Sequence, residues 1–161
     1  MKPIVYFDLD GVLADFDGHY THLMGSPWMA RNQANDQKKW KNLEAHPTFF
    51  LDLPWMPGAY WMYQAVVASS KFHVGILSAA SRHFPGSMEQ KHEWCKRNTP
   101  EVWAIHRIIV ERAKDKAQHV HPKAILVDDL QENIDNWRTV GGYGIHFTSA
   151  EQSLRELRQF I

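Results

Sequence analysis

Two aspartates end an apolar run near the beginning of the chain, in the stretch YFDLDGVLADF at residues 6–16. Aspartate is a poor strand former and is costly to bury unpaired, so Asp8 and Asp10 need a reason to lie there. Side chains two positions apart in a strand point to the same side, so both carboxylates face one place. Gly11 allows a sharp turn in which backbone N–H groups approach an anion. The pattern indicates chemistry on a phosphate group.

Polar side chains also mark the ends of the later apolar runs: Ser78, Lys114, Lys116, Asp128 and Asp129. In open α/β sheets, ligands bind outside the carboxyl ends of the strands, so these residues are expected to converge on Asp8 and Asp10. Carboxylates gathered that closely repel one another, and Mg²⁺, which prefers oxygen ligands, relieves the repulsion. A serine hydroxyl and a lysine ammonium would then bind phosphate oxygens. The sequence thus predicts a magnesium-dependent phosphate site.

Each of these groups also has an ordinary structural interpretation. An Asp-x-Asp-Gly stretch often forms a turn or a Ca²⁺-type loop. The pair at residues 128–129 and the serine could each cap a helix, and the two lysines could be exposed helix charges. The functional interpretation is favoured because all four groups fall, in order, at successive predicted strand ends.

Five short apolar runs predict the strands that would position these groups, at residues 4–9, 72–78, 107–111, 124–128 and 144–148. They are nearly continuous in apolar character, which is typical of a parallel sheet covered on both faces. Helix-like stretches lie between and after them, at residues 58–70, 87–98, 114–121, 130–140 and 149–160. This alternation predicts an α/β fold with a doubly wound, mostly parallel five-stranded sheet.

The interval of residues 15–56 is too long to be one crossover helix between the first two strands. Its best predicted helix covers residues 33–46, and it contains many large aromatic residues. We expect a small helical cap at residues 15–56, beside the carboxyl edge of a catalytic core made of residues 1–14 and 57–161. Aromatic side chains in such a cap would either pack its core or stack on a nucleobase.

Composition and charge narrow the class of protein. The chain has 161 residues, which suggests one domain, and its 18 Lys and Arg equal its 18 Asp and Glu. Zero formal charge argues against a partner as large and anionic as long nucleic acid. The single cysteine, Cys95, excludes an internal disulfide and fits a reducing compartment. With no signal-peptide pattern and no run of about 18 apolar residues, we expect a cytoplasmic protein without a membrane partner.

Four motifs together resemble those of the haloacid dehalogenase-like hydrolase superfamily: DLDGVLADF, then ILSA, then a lysine, then ILVDD. The resemblance spans nearly the whole chain and implies a Rossmann-like core. Within the superfamily, DLDGVLADF, LPWMPGA, RIIVER and ILVDD look like the 5'(3')-deoxyribonucleotidase family.

The resemblance implies a role for each matched residue. Asp8 would be the nucleophile that forms an aspartyl-phosphate, and Asp10 would be the general acid and then the general base. Asp128 would hold Mg²⁺ together with the Asp8 carboxylate and the Asp10 backbone carbonyl, with Asp129 supporting the metal from nearby. Ser78 would bind the transferring phosphoryl group.

The resemblance also implies roles for a lysine, for the residue after Ser78 and for a phenylalanine. The catalytic lysine is expected to be Lys116, with Lys114 as the alternative, because residues two apart on a helix do not share a face. The second motif reads Ser78-Ala79-Ala80, where vertebrate members of the family have Thr-Ser-Pro, so the substrate contact expected at Ala79 lacks a second hydroxyl. Phe16 matches the base-contacting phenylalanine of the family.

The leading hypothesis is a Mg²⁺-dependent phosphomonoesterase that converts deoxyribonucleoside monophosphates to nucleoside and phosphate through an aspartyl-phosphate. The alternative keeps this chemistry and changes the substrate to a sugar phosphate or another small phosphomonoester. A phosphatase acting on nucleic-acid ends and a non-catalytic binding module on the same fold are further alternatives. Small enzymes commonly form dimers, so a homodimer is also expected.

Overall fold

The computed structural model describes residues 2–28 and 37–160, which form a central sheet with helices on both faces. The strands are β1 (Ile4–Phe7), β2 (His73–Ala79), β3 (Arg107–Val110), β4 (Ala124–Asp128) and β5 (Tyr143–His146). Their order is β3-β2-β1-β4-β5, and every neighbouring pair is parallel. The predicted α/β fold class is confirmed. The direction of strand order changes at β1, and the crevice beside β4 is where such sheets bind ligands.

Six α-helices accompany the sheet: α1 (Phe16–Met24), α2 (Gln37–Leu43), α3 (Ala59–Ala68), α4 (Ser87–Asn98), α5 (Gln131–Thr139) and α6 (Ala150–Leu157). Short 3-10 helices cover Ala104–His106, Ala113–His119 and Arg158–Phe160. Among the described residues, none of the helices has the length and apolar character needed to cross a bilayer.

Side chains of alternate strand residues pack into two separate apolar cores, one on each face of the sheet. Val5 and Phe7 of β1 join the larger core, whereas Ile4 and Tyr6 join the smaller one with Trp137 of α5. Every residue of β1 and β4 is buried, which explains their unbroken apolar sequences. Burial on both faces fixes the strand register that carries the polar residues to one edge.

Register places the ends of β1 and β4 side by side. Phe7 pairs with Val127, and the N–H of Asp8 donates to the carbonyl of Val127 at 3.0 Å. β1 therefore ends two residues earlier than the predicted strand of residues 4–9. The chain then turns, with three successive N–H groups, those of residues 12–14, bonded to the carbonyl of Leu9. Asp8 and Asp128 consequently project from adjacent strand ends.

The described part of residues 15–56 contains α1 and α2, and residues 33–36 of the predicted 33–46 helix lie outside the described residues. Its buried side chains, which include Tyr20, Leu43 and Leu53, belong to the same apolar core as β1 and α3. The segment thus shares a core with the sheet instead of having one of its own, and large aromatic residues of the segment pack into that shared core. The boundaries of the cap stay a prediction.

Candidate active site

A buried lysine joins the ends of β1 and β4. Lys116, in the 3-10 helix Ala113–His119, places its ammonium 3.0 Å from Asp8 Oδ2 and 2.6 Å from Asp128 Oδ2. Burial alone would lower the pKa of Lys116, but the two carboxylates outweigh it and raise that pKa. Lys114, the alternative from the sequence, is exposed. The structure therefore brings Lys116, and not Lys114, into contact with the acids at the sheet edge.

A second buried lysine contacts the other aspartate of the first motif. Lys91 of α4 lies with its ammonium 2.7 Å from Asp10 Oδ2, and it also donates to the carbonyl of Ala79 at 2.5 Å. Its ammonium is 3.3 Å from the hydroxyl oxygen of Ser78. The site thus contains two buried lysines rather than the single lysine expected from the sequence.

Lys91 and Asn133 are two buried polar residues that contact the predicted acids and that the motifs did not indicate. Asn133 Nδ2 lies 3.1 Å from Oδ1 and 3.0 Å from Oδ2 of Asp128, and Oδ1 also accepts from the N–H of Leu130 at 2.9 Å. Helical periodicity could have indicated that both side chains are buried. Lys91 lies three positions before Trp94 on the buried stripe of α4, and Asn133 lies four before Trp137 on that of α5. A polar residue on an apolar stripe is costly unless it is paired.

The loop after β1 and the end of β2 supply the remaining predicted residues. Gly11 has φ 77°, in the left-handed region that a side chain disfavours, and this lets the chain turn at the pocket edge. Ser78 is buried with its hydroxyl oxygen 3.3 Å from the Lys91 ammonium, and half-buried Ala79 lines the pocket beside it. Ser78 is therefore not the helix cap that its position after an apolar run also allowed.

The two aspartates of the first motif have opposite pKa shifts. Burial opposes ionisation of Asp8, but Lys116, Lys91 and the Ser78 hydroxyl offset it and hold the pKa of Asp8 below its usual range. Burial dominates at Asp10, and with the repulsion from Asp8 it raises the pKa of Asp10 despite Lys91. An ionised Asp8 is suited to nucleophilic attack, and a more readily protonated Asp10 is suited to proton transfer.

Three carboxylates fit a divalent cation. Oxygens of Asp8, Asp128 and Asp129 all lie within 4.8 Å of one another, the first two buried and the third half-buried. Oδ1 of Asp10 is also buried and has no hydrogen-bond partner among the described residues. Mg²⁺ is bound by one or a few carboxylates together with water and phosphate oxygens, so the chemistry of this donor set suits it.

A cavity of about 430 Å³ opens over these groups. Asp8, Asp10, Ser78, Lys116 and Asp129 lie on its polar side. Its other side is aromatic and consists of Phe16, Trp28 and Trp40. The ring of Phe16 meets those of the two tryptophans edge-on, at centroid distances of 5.0 Å and 6.2 Å. The size and the division into polar and aromatic walls suit a small phosphorylated molecule with a planar group.

Lys91→Met should lower the turnover of a phosphomonoester by about 10²- to 10³-fold, because it removes one fixed positive charge from the site. Lys96→Met, on the exposed side of the same helix, is the matched control and should leave turnover unchanged. Initial rates of phosphate release by the two purified variants provide the measurement. Equal rates for Lys91→Met and the native protein would remove Lys91 from the catalytic groups.

Three comparisons with known proteins identify the family and the fold of the chain. Residues 2–158 match the family model described as "5' nucleotidase, deoxy (Pyrimidine), cytosolic type C protein". A protein of Vibrio phage KVP40 with the provisional name 5'(3')-deoxyribonucleotidase is 31% identical over 132 residues, which cover 82% of this chain and 69% of the phage protein.

Solved structures with the same fold are more distant in sequence. A Bacillus subtilis HAD hydrolase crystallised with magnesium is 10% identical with a TM-score of 0.59, over 98% of this chain and 99% of that one. A hydrolase of Streptococcus pneumoniae is 13% identical with a TM-score of 0.53, over 99% and 100%. These likenesses show the fold, and the family match shows a phosphatase of the 5'-nucleotidase type. The chain belongs to the deoxy-type 5'-nucleotidase family of haloacid dehalogenase-like hydrolases.

Proposed function

We propose that this enzyme is a Mg²⁺-dependent phosphomonoesterase that hydrolyses deoxyribonucleoside monophosphates to a nucleoside and inorganic phosphate. The observation that carries the proposal is Asp8, a buried carboxylate held ionised by Lys116 and Lys91 at the floor of a single pocket. Asp10, the expected proton donor, lines the same pocket. The family description and the name of the phage relative support the substrate class.

In the first step, an oxygen of Asp8 attacks the phosphorus atom and the bond from phosphorus to the ester oxygen breaks. Asp10 gives its proton to that departing oxygen, so the nucleoside leaves neutral and the phosphoryl group is joined to Asp8. In the second step, water gives a proton to Asp10 and attacks the same phosphorus. Inorganic phosphate forms, the Asp8 carboxylate is released, and Asp10 is again protonated.

Fixed charges stabilise the phosphoryl oxygens in both steps. Lys91 and Lys116 are held by buried carboxylates before substrate binds, so little reorganisation is needed. The Ser78 hydroxyl would bind the phosphoryl group from the end of β2. When bound by Asp8, Asp128 and the Asp10 carbonyl, with Asp129 nearby, Mg²⁺ would supply further positive charge toward the phosphoryl oxygens.

The aromatic side of the cavity is proposed to hold the nucleobase. Phe16 directly follows the loop of the first motif and lies with Trp28 and Trp40 on the wall of the cavity. Base–aromatic stacking is favourable for every base, so these rings would favour a nucleotide over a sugar phosphate. The proposed setting is the cytoplasm, which the single cysteine and the description of the matching family support.

A substrate panel tests the proposal. Phosphate release is measured for deoxyribonucleoside 5'- and 3'-monophosphates, ribonucleotides, hexose phosphates and a small aryl phosphate, with Mg²⁺ or with EDTA. We expect the highest kcat/KM for deoxyribonucleoside monophosphates and a fall of about 10³-fold in EDTA, because a metal contributes several kcal/mol of charge stabilisation. A higher kcat/KM for hexose phosphates would replace the proposed substrate with a sugar phosphate. Equal rates in Mg²⁺ and EDTA would show that hydrolysis does not depend on a divalent metal.

A further inference from the structure

One side chain of α4 binds the segment that leads from the cap back to the core. Gln90 Nε2 donates to the carbonyl of Pro47 at 2.7 Å. Its Oε1 accepts from the N–H groups of Phe50 and Leu51 at 3.1 Å and 3.2 Å. A carbonyl needs a donor and an N–H needs an acceptor, so the three bonds together fix which end of the amide faces which group. A single half-buried residue thus satisfies three backbone groups some 40 positions away in sequence.

The segment held by Gln90 carries two rings that pack behind the aromatic wall. Phe49 and Phe50 lie with their ring centroids 5.1 Å and 5.8 Å from that of Phe16. Both are almost completely buried, whereas Phe16 reaches the cavity. Phe16 is therefore supported from behind by Phe49 and Phe50, which lie in the segment that Gln90 bonds through the backbone of Pro47, Phe50 and Leu51.

Lys91, the neighbour of Gln90, is held independently of this segment. Its ammonium has its own bonds to Asp10 and to the carbonyl of Ala79, and its backbone is fixed within α4. Phe50 also approaches it, with the ring centroid 5.2 Å from the ammonium, but that contact is weaker than the charged hydrogen bonds. Loss of the Gln90 side chain should therefore move the aromatic wall more than the charged groups.

We propose that Gln90 is a positioning residue that fixes the aromatic wall of the cavity, through residues 47–51 and Phe16, and so sets the affinity for the nucleoside part of the substrate. The proposal rests on the proposed function and deepens it. It separates recognition of the nucleoside, which depends on Gln90, from phosphoryl transfer, which does not.

Gln90→Ala, Gln90→Glu and a control, Lys96→Ala, test the proposal by steady-state kinetics. For Gln90→Ala we expect KM for a deoxyribonucleoside monophosphate to rise by about tenfold, with kcat and the kinetics of a small aryl phosphate nearly unchanged. Gln90→Glu keeps the two accepting bonds but sets a carboxylate oxygen against the carbonyl oxygen of Pro47, so KM should rise there too, again with kcat nearly unchanged. Lys96 is exposed on the same helix and its replacement should change neither substrate.

Amide hydrogen exchange gives a readout that does not require turnover. Peptides covering residues 47–53 and 15–20 should exchange faster in Gln90→Ala and in Gln90→Glu, but not in Lys96→Ala. Unchanged exchange in these peptides, or an equal loss of kcat for both substrates, would overturn the role of Gln90. If Gln90→Ala does not fold, Gln90→Glu decides by the same criteria. A native protein that hydrolyses no phosphomonoester would instead overturn the proposed function, while the exchange data still test Gln90.

Discussion

Asp8→Asn should reduce hydrolysis of deoxyribonucleoside monophosphates by at least about 10⁴-fold while the protein remains folded. In the proposed mechanism Asp8 is the covalent nucleophile, and its loss should cost far more than loss of one stabilising charge because the phosphorylated enzyme could not form. Asparagine has nearly the same shape, and its amide can still accept from the N–H of Leu9, as Asp8 Oδ1 does at 2.7 Å. The fold should therefore tolerate the substitution.

Asp135→Asn is the matched control, because Asp135 is an exposed acid on α5 that contacts only polar groups of its own helix in the described structure. Circular dichroism and thermal unfolding establish that both variants fold, and kcat is then compared under saturating substrate and Mg²⁺. Acid quenching of the native enzyme during turnover should also trap a phosphorylated protein that Asp8→Asn does not form. Turnover by Asp8→Asn within tenfold of the native rate would remove Asp8 from the mechanism.

The strand ends were predictable from sequence because the strands are buried on both faces. Unbroken apolar runs marked β1 and β4, and the acidic residues that follow them placed the end of β4 at Asp128 and the end of β1 within two residues of Phe7. Parallel pairing then brings Asp8 and Asp128 together, since Phe7 and Val127 are in register. The acids of the site could thus be assigned without knowing any contact between them.

The groups that surround the acids were not predictable in the same way. Lys91 meets Asp10 across 81 positions, and Gln90 meets Phe50 across 40. Both residues lie on α4. The sequence predicted the length of this helix, but it did not predict which other elements the helix contacts. Helical periodicity places Lys91 on a buried stripe, yet it does not say which carboxylate is opposite. Local patterns specify elements and strand ends, whereas such pairings depend on how the helix packs against the sheet.

The charged groups of the site form three ion pairs at the floor of the cavity, made by two lysines that are themselves almost completely buried. Asp8 and Asp128 share Lys116, while Asp10 is paired with Lys91. Buried ion pairs contribute little net stability, because desolvation offsets much of the Coulomb attraction. Their presence at the edge of a cavity is better explained by function, since fixed charges in a site of low dielectric act strongly on a phosphoryl group.

Comparing Lys116→Met with Lys114→Met tests which of the two lysines of the third motif acts in the site. Lys116→Met should lower turnover by about 10²- to 10³-fold, because a fixed charge next to Asp8 is lost. It should also lower the free energy of unfolding by about 3–5 kcal/mol without metal, since two buried carboxylates would be left facing each other. Lys114 is exposed, so Lys114→Met should change stability by no more than about 0.5 kcal/mol.

Urea unfolding of both variants, with and without Mg²⁺, gives the free energies, and phosphate release gives the rates. Mg²⁺ should stabilise Lys116→Met more than it stabilises the native protein, because a cation bound by Asp8 and Asp128 would replace part of the charge that the lysine supplied. Equal loss of turnover in the two variants would contradict the assignment of Lys116. Stability of Lys116→Met that is lower but unresponsive to Mg²⁺ would place the cation elsewhere, because the repulsion between Asp8 and Asp128 is what its binding should relieve.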